Sequence, residues 1–298
     1  MHVAVRVFNT IKCPKLGAAY LNLFLLIGTT CLMANDIDKI RTNEDVNLFL
    51  VKNVNRKFKD RPPLEMNVKI SDTNRYARNR FFKVDVDNNG LTDLVINGFE
   101  NLFVILDYGK NNYEVLYIDS GTFLGNTATL ISIDTFTIPK KIIIHQSERP
   151  QQQIDTLILM FNRFIEYNPK PARDFDLEEI KFRTDQCFGE CPIFEMTIKK
   201  DRTATYKAIR YNEETGEFHG EIPKKEFEEL VAILKYLRID KLNGKYDVDW
   251  TDDQTATTEI NYNKKKKIIV DYGKIGTYGL SRLYSKFFGW RKNIEWTE

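Results

Sequence analysis

Nine residues, Asp85-Val-Asp-Asn-Asn-Gly-Leu-Thr-Asp93, carry oxygen side chains at the first, third, fifth and ninth places, with glycine at the sixth. Calcium takes several hard oxygen ligands at about 2.3–2.6 Å, and Asp85, Asp87, Asn89, the Leu91 carbonyl and Asp93 offer five. Gly90, with no Cβ, permits the sharp turn that such a loop needs. Asp, Asn and Gly also favour tight turns in their own right, so the same residues describe a polar hairpin turn without metal. The twelfth place is Ile96 where an EF-hand needs a bidentate glutamate, and both flanks are patterned as strands where an EF-hand has helices.

A second constellation is Cys187-Phe-Gly-Glu-Cys191-Pro192, which holds the only cysteines beyond residue 34. In an oxidising compartment two cysteines so close most simply form a disulfide. The bridge needs Cα atoms within about 7 Å, which a turn through Gly189 allows. A third group is Asp247, Asp249, Asp252 and Asp253 with Trp250 among them. Paired carboxylates hydrolyse glycosidic bonds and an indole offers a sugar platform, but aspartates in such a loop also serve simply as turn formers. His145 and His219 are the only histidines past the start of the chain, and no serine-histidine-aspartate arrangement is suggested.

Residues 1–34 read as a secretory signal peptide: Arg6, Lys12 and Lys15, then an apolar stretch from Leu16 to Ala34, then polar chain from Asn35. Cleavage near Ala34 is the expectation; an anchor over 16–34 and lipidation at Cys31 are the alternatives. The protein is thus expected in the periplasm, at the cell surface or secreted, with no membrane span after signal removal. Beyond residue 34 there are 41 basic and 42 acidic residues, which gives no electrostatic footprint for nucleic acid. The run Lys264–Lys267 fits a solvated hairpin tip or an edge strand protected by lysines.

The elements that must position these groups fall into two sets. Val46, Phe49, Leu50 and Val54 predict a helix over 43–58, ended by Pro62-Pro63. Strands are then expected at 66–70, 81–84, 94–96, 102–106, 113–118, 128–133, 140–145 and 156–161, with turns at 109–112 and 121–125. Two prolines between Tyr167 and Arg173 mark a linker, placed at 168–176. Past it come strands at 180–183, 193–198 and 203–208, then a helix over 223–237 with an apolar stripe of Phe227, Leu230, Val231, Leu234 and Leu237. A hairpin around Asn263 and a helix over 279–290 complete the pattern. The fold class is therefore α+β: a mainly antiparallel β domain over 35–167 and a small α+β domain over 177–298, an antiparallel sheet with two helices.

Phe82-x-x-Asp-x-Asp-x-Asn-Gly-x-x-Asp-Leu94, within residues 81–96, resembles the calcium loop of FG-GAP or VCBS-type repeats, which joins two strands of a propeller blade. Such repeats usually come in series. Asp247–Asp253 lacks the glycine and the spacing, so one copy is present. Cys-x-x-x-Cys-Pro is similar to the pair in copper-handling, thioredoxin-like chaperones of the Sco kind. That family has a helix straight after the second cysteine, where residues 193–199 alternate as a strand. Residues 180–290 resemble more fully a family of uncharacterised bacterial exported domains marked by Cys-Phe-Gly-x-Cys-Pro. The resemblance takes in Thr184 to Phe194, the strand from Asp201 to Tyr206, the helix ending near Leu237 and the loop Tyr246 to Asp252. Phe194 stands where that family often has tyrosine, and Asp201-Arg202 lacks a glycine often found in that turn. The resemblance implies an architecture and an envelope context but no reaction.

Two function classes follow. One is a non-enzymatic exported module, stabilised by calcium and a disulfide, that binds a protein or glycan of the cell envelope. The other is an envelope hydrolase acting on glycans through the Asp247–Asp253 loop, or a copper- or redox-handling protein using Cys187 and Cys191.

Overall fold

The computed structural model describes residues 35–60, 62–64, 80–98, 101–118, 128–146 and 154–298, which gather into one compact unit. The expected signal segment with Cys13 and Cys31, the expected strand 66–70 and the expected turn 121–125 lie outside the described residues. Most of the fold is antiparallel β-structure in three sheets, accompanied by three α-helices.

Helix α1 (Asn43–Asn53) opens on a capping box: Asp45 N donates to the Thr42 side chain, and Thr42 N donates to the Asp45 carboxylate at 2.9 Å. It stops sooner than its apolar spacing predicts. Asn55 is extended and its side chain accepts from Lys57 N, which starts a separate 3-10 turn over Arg56–Lys59. Strands β1 (Arg80–Val84), β2 (Asp93–Asn97), β3 (Leu102–Asp107) and β4 (Tyr113–Tyr117) form a four-stranded antiparallel meander. The two central strands are buried along their whole length because both faces are covered. Leu94, Ile96, Phe103 and Ile105 meet Val46, Phe49 and Leu50 of α1. Val95, Leu102, Val104 and Leu106 face a second meander, β5 (Ala128–Asp134), β6 (Lys141–Gln146), β7 (Ile154–Met160) and β8 (Arg163–Glu166), through Leu130, Ile142, Ile144, Leu157 and Phe164. The sequence reading missed β8. Phe161 and Asn162 both take positive φ, so the chain reverses at the end of the strand expected at 156–161 and pairs back on it.

Residues 167–176 carry no regular element and lie along the neighbouring helix end: Ala172 N donates to Lys235 O, and Asn168 N to the Tyr236 hydroxyl. Then come β9 (Leu177–Thr184), β10 (Ile193–Lys199), β11 (Thr203–Arg210), β12 (Gly216–Glu221), α2 (Lys224–Leu237), β13 (Lys245–Tyr246), β14 (Thr255–Tyr262), β15 (Lys265–Tyr272) and α3 (Tyr278–Asn293). The seven strands run in the order β12-β11-β10-β9-β14-β15-β13, antiparallel except that β13 is parallel to β15. Residues 295–297 lie against β12, with His219 and Thr297 exchanging backbone hydrogen bonds. The sequence reading missed β12 and β13.

Alternation along these strands places Phe182, Phe194, Met196, Ile260 and Ile269 under α2 and α3. The opposite face is charged and open, with Lys181 paired to Glu195 and Lys266 to Glu259. Asn263 and Lys264 form the tight turn of the β14–β15 hairpin, both at positive φ, as the lysine-rich tip implied. Arg202 also takes positive φ, in the very turn that lacks its glycine, with its guanidinium paired to Glu221. The buried face of α2 is wider than the expected stripe. Tyr236 packs against Ile158 and Ile165 of the second meander, while Leu230, Ile233 and Leu234 enter the large core. The α2–α3 contact contains a buried charge: Lys286, 5 % exposed, pairs with Glu226 and Glu229, and Arg282 pairs with Glu229.

The start of α3 joins the second meander to the helices. Glu166 of β8 accepts from the backbone N–H groups of Tyr278 and Gly279, and the Tyr278 hydroxyl pairs with the Gln146 side chain. Gly279 meets α2 so closely that an added Cβ would lie 2.0 Å from Leu237 Cδ2. The Cys187–Cys191 segment turns between β9 and β10 with Cα atoms 5.8 Å apart and the sulfurs joined.

Two outcomes follow. Gly279→Ala should lower unfolding stability by about 1–3 kcal/mol in urea, the range for overpacking, and Leu237→Ala in the same chain should recover part of that loss. Reduction of the disulfide, or Cys187→Ser with Cys191→Ser, should cost about 2 kcal/mol, as expected for so short a closed loop. Mass spectrometry without reductant should find the chain two hydrogens lighter than its reduced form; an intact dithiol would refute the bridge.

Candidate metal centre and the Cys187–Cys191 face

The loop between β1 and β2 begins where Val84 pairs with Asp93, so its first and ninth positions are drawn together by the antiparallel ladder itself. Asp85, Asp87 and Asp93 each offer a carboxylate oxygen, and these oxygens lie within 4.8 Å of one another. Among the described residues this is the one group of three acidic, histidine or cysteine side chains so placed. Gly90 sits at φ +86° with open space around it, so its requirement is the backbone angle and not room.

Backbone N–H groups hold the carboxylates in place. Asn89 N and Gly90 N donate to Asp85 at 3.0 Å each, and Asn89 N also donates to Asp87. Asp93, fully buried, accepts from Val86 N at 2.7 Å and from Asp107 N at 2.8 Å. Burial pushes the Asp93 carboxyl up to about 7, against those two hydrogen bonds, and the charges of Asp87 and Asp85 push the same way. Asp87 is raised by burial first and by Asp85 next. Among the described residues none of the three aspartates pairs with a lysine or arginine.

The other two expected ligands are placed differently. The Asn89 side-chain oxygen accepts from Leu91 N, and its amide nitrogen donates to Asp87 and to the Asp107 carbonyl. To face a cation, that amide must turn about its last torsion. Leu91 stays in the loop backbone between Gly90 and Asp93. Asp107 is the residue that sequence reasoning missed: 1 % exposed, it donates its N–H to Asp93, accepts from Gly109 N, and keeps one carboxylate oxygen without a hydrogen-bond partner. Its signal was an acid closing the apolar run Leu102–Leu106.

The other two sequence motifs meet each other. Phe188 N donates to the Asp252 carbonyl, and the Gln254 amide donates to the carbonyls of Asp185 and Pro192, which brings the disulfide turn beside the Asp247–Asp253 loop. The loop aspartates are engaged locally. Asp247 pairs with Lys245, Asp252 accepts from Thr251, and Asp253 accepts from Gln254 N and from the Trp250 indole. Asp249 stands in the same loop. Joined as a disulfide, Cys187 and Cys191 offer no thiolate to a metal. Phe188 projects from the turn, 87 % exposed. His219 is tied to Thr297 through its backbone, and His145 lies in β6, so neither stands in the turn that carries the cysteines. Among the described residues no helix is long and apolar enough to cross a membrane.

A family model described as a domain of unknown function (DUF6438) matches residues 178–290, from β9 into α3. The match includes both cysteines and the Asp247–Asp253 loop, and it leaves out Asp85–Asp93. No curated protein and no solved structure matches the chain.

Proposed function

We propose that the chain is an exported binding module without catalytic activity of its own, whose Asp85–Asp93 loop holds calcium and whose Cys187–Cys191 bridge staples its second half. The observation that carries this reading is the convergence of Asp85, Asp87 and Asp93 within 4.8 Å with no basic partner among the described residues. Three carboxylates so close repel one another, and the burial of Asp93 makes its ionised form costly. A divalent cation would offset both effects. Asp85, Asp87 and Asp93 would supply charged oxygens, the Leu91 carbonyl a neutral one, and Asn89 another after its amide turns. The ion would bind no substrate here; it would fix the β1–β2 connection against the end of β3. Export is supported by the basic-then-apolar start of the sequence and by the disulfide, which belongs to oxidising compartments.

With calcium at a millimolar level and a dissociation constant of about 0.1 mM, linkage gives about 1.4 kcal/mol of stabilisation. The melting temperature in calcium should therefore exceed that in chelator by about 3–5 °C. Asp87→Asn keeps an acceptor for Asn89 N and removes one charge, so it should erase the difference. Equal melting of the parent in calcium and chelator would refute the site.

The pH dependence has a defined sign. Asp93 binds its proton more tightly folded than unfolded, so in chelator its contribution is fully present below about pH 4 and is lost as pH rises through about 7. Calcium competes with that proton. The calcium-induced rise in melting temperature should consequently be larger at about pH 8 than at about pH 5.5; a pH-independent rise would mean that Asp93 is not a ligand.

A further inference from the structure

A cleft of about 470 Å³ opens between the β11–β12 hairpin and the segment that follows α3. Tyr206, Phe218 and Trp296 form its wall: the Tyr206 ring lies 5.9 Å from Phe218 and 5.2 Å from Trp296, centroid to centroid. Tyr211 stands at the mouth, 39 % exposed. The cleft thus sets an aromatic wall beside polar and charged groups that can fix a ligand's orientation.

Glu213, Glu214 and Lys292 line the cleft together with Asn212 and Arg291, and the arrangement of these last two is constrained. The Asn212 amide nitrogen donates to the carbonyls of Ile193 and Arg210, so its orientation is fixed. Its oxygen accepts from the Tyr206 hydroxyl and from Arg291 Nη1 at 2.6 Å. The Arg291 guanidinium lies over the rings of Phe194 and Phe288, 5.0 and 5.5 Å from their centroids. Its Nε is buried with no hydrogen-bond partner. Among the described residues Arg291 forms no ion pair. The nearby lysine, Lys292, is paired with Glu213, and Glu214 also lines the cleft, so Arg291 is the cation of this cleft that has no ion pair among the described residues. A half-buried arginine held through Nη1 by a neutral amide and lying on two rings, with no ion pair among the described residues, leaves its remaining Nη hydrogens to meet a carboxylate.

We propose that this cleft binds a small organic acid, with its carboxylate on Arg291 and a six-membered ring against Tyr206, Phe218 and Trp296. The proposal deepens the binding-module reading and rests on it, but not on the metal, so an acid titration and a calcium titration fail separately. An acidic sugar and an aromatic acid both supply such a ring, and two probes separate these sources.

The oxidised protein would be titrated with glucuronate, benzoate and glucose by calorimetry, with the indole resonances of Trp296 and Trp250 followed by NMR. At least one acid should bind tenfold or more tightly than glucose, in keeping with a charge-assisted pair, and should shift Trp296 but not Trp250. Glucuronate ahead of benzoate identifies a sugar acid, and the reverse an aromatic one. Arg291→Gln should weaken the better acid at least tenfold. Tyr211→Ser, at an exposed position that leaves folding intact, should weaken it too, and it serves as the second variant if Arg291→Gln melts early. Neither acid exceeding glucose, an unshifted Trp296, or full affinity in both variants would overturn the proposal.

Discussion

The arrangement of layers depends on how α3 begins. A helix leaves its first N–H groups without intrahelical partners and carries partial positive charge there. In this chain two of those groups, on Tyr278 and Gly279, donate to the carboxylate of Glu166, which closes the second meander. Thr277 takes the next through its own side chain. Tyr278 itself belongs to the core between the two meanders and reaches Gln146 of β6. A shift of α3 along its axis would withdraw the acid from the N–H groups and the tyrosine from the core together. Gly279 adds the steric half of the same constraint, since α2 and α3 can approach at Leu237 only where α3 has no Cβ.

Rotation of α3 about its axis is set farther along by charge. Lys286 is nearly excluded from water between Glu226 and Glu229, and the Trp290 indole also donates to Glu226. Burying an ammonium costs about as much as its pairing returns, so the network adds little net stability, but a rotated helix would leave the charge unpaired at a cost of several kcal/mol. The residue after Trp290 is Arg291. Its place over Phe194 and Phe288 is thus inherited from the ion pairs one turn earlier, and an interaction internal to two helices shapes the floor of a surface cleft.

Much of this was legible in the sequence wherever one residue type answers to one physical demand. Alternation such as Ile193-Phe-Glu-Met-Thr-Ile198 marks a strand with one covered face, and Cys187 and Cys191 around Gly189 mark a closed turn. The strands that escaped notice break that correspondence. In Gly216-Glu-Phe-His-Gly-Glu221 the lone apolar residue is Phe218, because this strand borders solvent and the Trp296 segment; β13 is two residues long and identifiable only by its partner. Tyr236 was assigned no role because its burial comes from Ile158 and Ile165, which lie far away in sequence. The oxygens of Asp85–Asp93 could be counted from the sequence, whereas the orientation of the Asn89 amide and the approach of Asp107 depend on β3. Tyr206 and Arg291 come from β11 and α3, Asn212 and Trp296 from the β11–β12 turn and the segment after α3, and together they form no motif at all.

The seven-stranded sheet ends on both sides in a way that affects how the molecule meets others of its kind. An open strand offers a row of unpaired amides and carbonyls to any passing chain, the usual beginning of edge-to-edge association. On one side β13 is only two residues long, too short to template a partner. On the other, Thr297 occupies the place of the next strand, exchanging hydrogen bonds of 2.7 and 2.9 Å with His219, while the Trp296 side chain leans across Gly220. A single bridging residue and its neighbour thereby act as a stopper at that edge, while on the other side the stretch of β15 that β13 does not cover starts with Lys265, Lys266 and Lys267, charges that discourage a foreign β-strand or a misfolded copy from adding there.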